Sequence, residues 1–539
     1  MTEHRTKTPQ YDVAIVGAGF AGLYLLLRCR TLGLTARIWE KGTGVGGVWY
    51  WNRYPGARCD VESMQYCYSF DEQLQQEWNW SERYSPQPEI LGYLQHVARR
   101  FDLLDGIDFE RHLAKAQFDN SECVWTLTAV SGESLTARFC VMATGCLSEP
   151  NWPLIDGYDD FAGPVYHTAL WPHEDVDFHG KRVAVIGTGS SGIQSIPLIA
   201  EEASQLTVFQ RTANYSIPAQ NGPLDKAQLA SVKSNYAELR ERAKTRHNAI
   251  EGQYSKVSAL SVGEEERTAE YERRWKHGGL TFLGAFGDLL SDEASNATLA
   301  GFVRDKIRST VKDPQVAEKL IPVNIIGGKR LCVDTNYFAT YNKNHVQLID
   351  LHADPILNVN KRGLCTAKDQ YDVDIIVVAT GFDAMTGALN RIDIRGRSGR
   401  ALSDRWQSGP STYLGLAMAD YPNLFTVTGP GSPSVLTNMV PSIEHHVQWI
   451  TDCISYVQSQ KLIAIEATES AQHKWWEHVQ DVGRSGIKHT TKSWYVGANI
   501  EGKANVFLPY NGGFPAYCRK CAEVVENDYE GFVFSSVPV

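Results

Sequence analysis

Apolar residues along this chain come in short runs that stop at glycine, with the polar residues gathered between them. The first run, Tyr11 to Val16, ends at Gly17; an apolar-rich helical stretch from Gly22 to Leu32 follows, and then a second run, Ala36 to Trp39. Strand, glycine turn, helix and strand in that order predict a βαβ unit. The same succession returns at Arg182 to Ile186, the glycines of 187–192, a helix to about Ala203 and a strand around Gln205 to Phe209. Two such units predict an α/β fold with two Rossmann-like dinucleotide-binding domains. From about Leu224 to Val323 the pattern changes to Glu, Lys, Arg and Ala with apolar residues at helical spacing, which predicts an inserted helical subdomain. Strand character resumes in His345 to Leu351 and Asp374 to Ala379. Both nucleotide domains are therefore expected to be discontinuous, residues 1–150 with 390–539 and residues 151–223 with 324–389, around an insertion at 224–323.

Composition narrows the function classes. With 539 residues, 43% hydrophobic and 21% charged, the chain is globular rather than disordered or fibrous. A formal net charge of −10 and the lack of a basic cluster argue against nucleic acid or an anionic membrane as partner, and favour small-molecule chemistry. The 11 cysteines are scattered without the dense spacing of a disulfide scaffold, as expected of reduced thiols. The polar N-terminal stretch and the absence of a membrane-length apolar run fit a cytoplasmic protein, expected to be a monomer or weak oligomer. Cys518-Arg519-Lys520-Cys521 lacks a second pair for zinc, and no histidine pair has helical metal-site spacing, so no metal is expected. A GxSxG nucleophile elbow is absent too.

Gly17-Ala18-Gly19-Phe20-Ala21-Gly22 follows a strand and opens a helix. In that setting the glycines permit a tight turn, close approach of a pyrophosphate and packing of helix on strand. Gly42, Gly44 and Gly47 fit the same spacing but follow the second strand, so context decides between them. Glu40 stands 18 residues after Gly22, at the end of the second strand, where a carboxylate accepts bonds from ribose hydroxyls. In the second fingerprint, Gly187-Thr188-Gly189-Ser190-Ser191-Gly192, the same step of 18 residues reaches Gln210, with Arg211 and Thr212 next. With the acid gone and a cation beside its place, this site is expected to take the 2′-phosphate of NADP(H). Two strand ends, Val141 to Gly145 and Val377 to Asp383, carry the small residues that let a chain pass close to a cofactor. A ribose-acid site and an NADP site in one chain point to hydride transfer from nicotinamide to flavin, hence to FAD and NADPH as cofactors.

Two longer stretches carry a resemblance. Phe161-Ala162-Gly163-Pro164-Val165-Tyr166-His167-Thr168-Ala169-Leu170-Trp171-Pro172 and the run from Gly46 to Asp60, GGVWYWNRYPGARCD, resemble signature segments of the type I Baeyer–Villiger monooxygenases, class B flavoproteins of the cyclohexanone and phenylacetone monooxygenase kind. The likeness extends from Val13 to about Phe534, and only the helical insertion matches loosely. It implies that Arg330 is the active-site arginine and Asp60 its carboxylate partner. It assigns Gly17, Gly19, Phe20, Gly22, Glu40, Gly47, Val48, Trp49, Asp60 and Tyr66 to FAD. To NADP it assigns Arg58, Gly187, Thr188, Gly189, Ser190, Ser191, Gln194, Arg211, Thr212, Lys329 and Trp494, with Arg211 and Lys329 on the 2′-phosphate. Trp494 belongs to a mobile loop, Ser493 to Ile500, that closes over NADP. Phe161, Gly163, His167, Trp171 and Pro172 are the signature residues, and His167 is implied to couple domain movement to activity more than to touch substrate.

The implied reaction takes a small hydrophobic ketone and O2 to an ester or lactone through a flavin C4a-peroxide and a tetrahedral adduct. Each demand is electrostatic: a permanent cation at Arg330 keeps the oxygen nucleophile deprotonated and holds an oxyanion, while Asp60 orients the guanidinium through a bidentate pair. Val435, Leu436 and Met439, after the turn GPGSPS, are expected to form an apolar wall for the substrate. The alternative is a flavin-dependent N- or S-oxygenase, which needs both nucleotide sites but not Arg330 and Asp60.

Overall fold

The strand Tyr11–Val16 lies inside an eight-stranded sheet, in a computed structural model that describes residues 9–537. Its Val13, Ala14, Ile15 and Val16 are all buried, as a strand covered on both faces requires. It runs parallel to both neighbours, with Val13 opposite Ala36 on one side and Phe139 on the other. Across the sheet the order is Asp393–Arg395, Leu113–Asp119, Val124–Ala129, Ser134–Met142, Tyr11–Val16, Ala36–Trp39 and Ile107–Asp108, with Leu424–Thr426 also paired to Ser134–Met142. The late chain thus returns to the first sheet. A second, all-parallel sheet has the order Val346–Asp350, Gln205–Gln210, Arg182–Ile186, Ile375–Val378 and Val165–His167.

Helix Phe20–Thr31 follows the first strand and packs against the 21-residue helix Met439–Ser459. Gln448 Nε2 donates to the Tyr24 hydroxyl at 3.1 Å, and Arg28 pairs with Asp452 at 3.0 Å along that contact. The long helix starts directly after Val435 and Leu436, so the first nucleotide lobe also anchors the segment expected to line the substrate. Each fingerprint helix starts ahead of its last glycine, at Phe20 and at Ser190. Gly22 and Gly192 therefore sit within the first turns, pressed on the glycine turn: a Cβ would stand 1.9 Å from the Gly17 carbonyl oxygen in one and 2.3 Å from that of Gly187 in the other.

The region between the lobes is helical, with Lys226–Ser234, Tyr236–Lys244, Glu264–His277, Glu293–Thr310 and Pro314–Leu320 as its main elements. Its packing is divided. Tyr236 and Ile250 join the core of the first lobe, whereas Tyr271, Phe282, Leu299 and Val303 join that of the second. Cys518 and Cys521 lie on the helix Phe514–Glu526 as free thiols. Among the described residues no helix is long and apolar enough to cross a membrane.

Candidate active site

The two nucleotide turns are built alike. Gly17 and Gly187 have φ of +105° and +108°, and a Cβ on either would lie 2.6 or 2.5 Å from a carbonyl oxygen, that of Ala143 or Ala379. Only glycine fits there. The strand ends Val141–Gly145 and Val377–Asp383 are thus the segments pressed against the fingerprints. Both helices begin at a glycine N-cap with no side-chain hydrogen bond, which leaves backbone N–H groups free for an anion.

In the first site Gly47, whose triad only mimics a fingerprint, folds back so that a Cβ on it would touch the Cα of Gly19 at 2.9 Å. Beside it the Trp49 indole donates to the Tyr66 hydroxyl at 3.2 Å, and the Phe20 and Tyr66 rings meet edge to face at 5.3 Å. Val48 next to them is exposed. Glu40 is buried, and its two carboxylate oxygens each accept a backbone N–H at 2.7 Å, from Ala18 and from Gly42. Burial raises its pKa against those bonds. The acid braces the glycine turn and keeps further lone pairs for a ribose. This cradle fits the adenosine diphosphate part of FAD.

The second site fits NADP. Gly189 faces open space, Ser190 is exposed, and Thr188 Oγ1 donates to the carbonyl of Thr212 at 3.1 Å. Lys329 lies near Arg211, and burial together with that neighbouring positive charge lowers the Lys329 pKa. Among the described residues neither cation has a carboxylate partner, an arrangement that a 2′-phosphate would neutralise. Gln194 ties the lobes together: Tyr54 donates to its Oε1 at 2.9 Å, and its Nε2 donates to the carbonyl of Arg58 at 3.0 Å. Ser191 is half-buried on the same helix. The Arg58 guanidinium is already committed to Glu82 and the Tyr84 carbonyl.

Between the sites stands the pair that carries charge. Arg330 Nε and Nη2 donate to the two carboxylate oxygens of Asp60, both at 2.7 Å, and Nη1 donates to the carbonyl of Val435 at 2.6 Å. Burial opposes the cation, but Asp60 outweighs it and the Arg330 pKa rises above its ordinary value. Tyr495 lies beside the guanidinium, and burial pushes its phenol up to about 12. Sequence reasoning assigned Val435 an apolar side-chain role; its carbonyl is what holds Arg330. That contact, like Tyr495, depends on the meeting of segments far apart in sequence. Val435 packs with Cys146, Met385, Tyr495 and Leu508, and Leu436, Met439 and Trp494 join the rim of the same cluster.

The Trp494 loop is clasped to the second strand end: Asn499 Nδ2 donates to the Phe382 carbonyl at 2.8 Å, and Lys503 reaches the Ala384 carbonyl at 2.9 Å and Asp383 at 2.5 Å. His167 closes the edge strand Val165–His167, opposite Val378. Its Nδ1 accepts from the Ala169 N–H at 3.0 Å, and its Nε2 stands 3.4 Å from the carbonyl of Asn151, which also accepts from Thr380 at 2.5 Å. It thus touches the chain crossing between the lobes. Phe161 and Trp171 pack in the core of the second lobe, and Gly163 lies where a Cβ would strike the Asp374 carbonyl at 2.3 Å, while Pro172 is half-buried. These signature residues shape the lobe rather than meet Arg330.

Comparison with known proteins agrees with this geometry. Residues 10–221 match the flavin-binding monooxygenase-like family. A phenazine N-monooxygenase of Lysobacter antibioticus is 41% identical over 532 residues, covering 98% of each chain. A cyclohexanone 1,2-monooxygenase of an Acinetobacter species is 40% identical, over 97% of this chain and 96% of its own. The solved structure of an oxidized steroid monooxygenase bound to NADP superposes with a TM-score of 0.93 at 51% identity, over 98% of this chain and 99% of that one.

Proposed function

This chain belongs to the type I Baeyer–Villiger monooxygenases, and from that membership we propose that it uses FAD, NADPH and O2 to convert a small hydrophobic ketone into an ester or lactone. The observation that carries the reading is the bidentate Arg330–Asp60 pair standing between two dinucleotide cradles. Bound in those cradles, NADPH supplies a hydride and reduced FAD supplies the oxygen-activating chemistry.

The chain's own residues supply position and charge. A guanidinium carries five N–H donors, and Asp60 and Val435 occupy three of them, so the remaining donors, on the terminal nitrogens, face an anionic oxygen with the Tyr495 hydroxyl alongside. Those donors hold the negative charge that develops on the substrate carbonyl oxygen under attack. Asp60 fixes the plane of the guanidinium and moves no proton. Arg211 and Lys329 select the phosphorylated nicotinamide cofactor, Glu40 the adenosine ribose of FAD. Val435, Leu436 and Met439 border the ketone, and Trp494 closes the site against water. His167, held at the interlobe crossing, couples the lobes. The enzyme acts in the cytoplasm as a monomer or weak oligomer, without nucleic-acid or membrane partner.

The N-oxygenating relative favours a second reading, oxygen transfer to a heteroatom. One experiment separates them: NADPH oxidation by FAD-loaded protein under isotopically labelled O2, with linear and cyclic ketones, a thioether and an N-heteroaromatic, and mass spectrometry of the products. An ester carrying one labelled oxygen, lost in Arg330→Ala, supports ketone oxygenation. Sulfoxide or N-oxide as sole product overturns it.

A further inference from the structure

Arg330 and Asp60 reach each other across the boundary between the two nucleotide lobes. Cys59 and Val61, on either side of Asp60, belong to the core of the first lobe, whereas Leu331, Cys332 and Val333 beside Arg330 belong to that of the second. The strand Cys332–Asp334 packs on the helix Ser190–Glu202, and Ser190 Oγ stands 3.4 Å from Cys332 Sγ. Arg330 therefore travels with the helix of the second fingerprint, and Asp60 with the first lobe. Two bonds of 2.7 Å on one carboxylate demand a planar fork-to-fork alignment, so the pair forms only when the lobes stand in one register.

Gln194, on that same helix, sits where the register is set. Its side chain crosses to residues 54–58 of the first lobe, and both ends of the amide are engaged there. The Tyr54 hydroxyl donates to Oε1 at 2.9 Å, and Nε2 donates at 3.0 Å to the carbonyl of Arg58, two residues before Asp60. The backbones meet as well. Gly56 has a φ of +79°, and a Cβ on it would lie 2.5 Å from the Gln194 carbonyl oxygen and 3.2 Å from Leu198 Cδ1, so only glycine lets the two chains come this close. The Tyr54 ring packs at the edge of the second-lobe core. On its own side the segment is braced: Gln87 N–H donates to the Ala57 carbonyl at 2.8 Å, Gln87 Nε2 donates to the Trp49 carbonyl, and the Arg58 guanidinium holds Glu82 and the Tyr84 carbonyl. A stretch held this firmly passes a shift at the Arg58 carbonyl on to Asp60 instead of absorbing it.

Resting on the ketone-oxygenating reading, we propose that Gln194 is a positioning residue for ester formation: through the Arg58 carbonyl it sets Asp60 against Arg330, in place of the NADP contact that the family resemblance assigns to it. Its loss then changes what the enzyme makes and not how tightly it holds the nicotinamide cofactor.

The test uses the FAD-loaded full chain and a hydrophobic ketone that the parent converts, with NADPH, ester and hydrogen peroxide measured on one sample. Gln194→Met keeps the length of the side chain and removes both hydrogen bonds. The expected result at saturating NADPH is a fall of about 3- to 30-fold in the rate of ester formation, with hydrogen peroxide making up the difference and KM for NADPH within twofold of the parent. A residue that only stabilised the fold would lower the melting temperature and leave ester per NADPH unchanged. In an Asp60→Asn background the same substitution should change ester per NADPH less than about twofold, because its route to Arg330 is already cut. Should Gln194→Met lose its flavin absorbance, Tyr54→Phe, which removes a single hydroxyl, must give a smaller fall of the same kind. A raised KM for NADPH with parent-like ester per NADPH, or full additivity of the Gln194 and Asp60 substitutions, overturns the proposal while ketone oxygenation stands. Absence of ester from the parent enzyme with every ketone tried removes both readings.

Discussion

Replacing Asp60 by Asn should uncouple NADPH consumption from ester formation, because the carboxylate acts on Arg330 and not on the nicotinamide site. The parent pair has two N–H···O bonds of 2.7 Å. A hydrogen bond to a charged group contributes about 1.5–3 kcal/mol. Both side chains keep about a quarter of their surface exposed, 25% for Arg330 and 22% for Asp60, so solvent screens part of this and the two bonds do not add fully. Asn keeps one acceptor oxygen but turns an NH2 group towards a guanidinium N–H, so one bond becomes a repulsion and the charge is gone. Roughly 2–3 kcal/mol of orientation is lost, which is about 30- to 150-fold in the rate of ester formation. Consumption of NADPH followed by absorbance and ester followed by gas chromatography give the two rates on one sample. The expected result is a fall in ester per NADPH of at least tenfold, with hydrogen peroxide as the balance, and partial recovery in Asp60→Glu. Parent-like ester yield in Asp60→Asn would refute the positioning role, and an equal fall in both rates would place Asp60 on the cofactor instead.

Arg211→Ala and Lys329→Ala should each raise KM for NADPH about tenfold while leaving KM for NADH within twofold, since each removes one cation facing the 2′-phosphate; equal changes with both cofactors would refute the assignment. Gly187→Ala puts a Cβ 2.5 Å from the Ala379 oxygen at a φ of +108°, so NADPH binding measured by titration should be lost with about 1–3 kcal/mol of stability, while the flavin absorbance of the separate first site persists. Burial lowers His167, and His445 on the helix Met439–Ser459, from an ordinary 6.5 to about 4. Their folded values lie below the unfolded one, so the stability they contribute is full above pH 6.5 and is lost as pH falls towards 4, by about 2–3 kcal/mol for each. Urea midpoints that stay level between pH 7 and pH 4.5 would contradict this.

The glycine-bounded runs were the most legible part of the fold: Tyr11–Val16 and Ala36–Trp39 form strands with the ends their apolar residues suggest. The strands Asp393–Arg395 and Leu424–Thr426 were not legible, because three residues carry no periodicity and their partners, at Lys115 and Cys140, lie far back in the chain. The fingerprint turns could be read because one local reason, the lack of room for a Cβ, fixes residue type and spacing together. Gly47 shows the limit of that reasoning: its triad mimics a fingerprint, and its contact with Gly19 exists only once the chain has folded back. Arg330 and Asp60 are 270 residues apart, so no spacing rule joins them and only the family resemblance singled them out. The Val435 carbonyl was beyond both routes, because a backbone acceptor has no signature in side-chain type.

Overall identity does not decide between carbonyl carbon and heteroatom as the acceptor of oxygen, since the N-oxygenating and the cyclohexanone-oxygenating relatives are 41% and 40% identical to this chain. Electrostatics does separate the two. Attack on a carbonyl pushes a full negative charge onto its oxygen, whereas oxygen transfer to an amine or ring nitrogen develops paired charges, positive on nitrogen and negative on the oxygen bonded to it, which largely cancel at a distance. Arg330 is a cation at every working pH, because Asp60 raises its pKa further. Opposite charges about 5 Å apart at an effective dielectric of about 20 attract by about 3 kcal/mol, and the paired charges of a forming N-oxide gain less. A fixed guanidinium therefore favours the carbonyl over the nitrogen by less than about 3 kcal/mol at the stage where charge develops, provided that it is held still. The bidentate grip of Asp60 and the third bond to Val435 supply that condition. Product choice thus follows from how rigidly one cation is held, and loosening Asp60 should raise the heteroatom-to-ketone product ratio even as both rates fall.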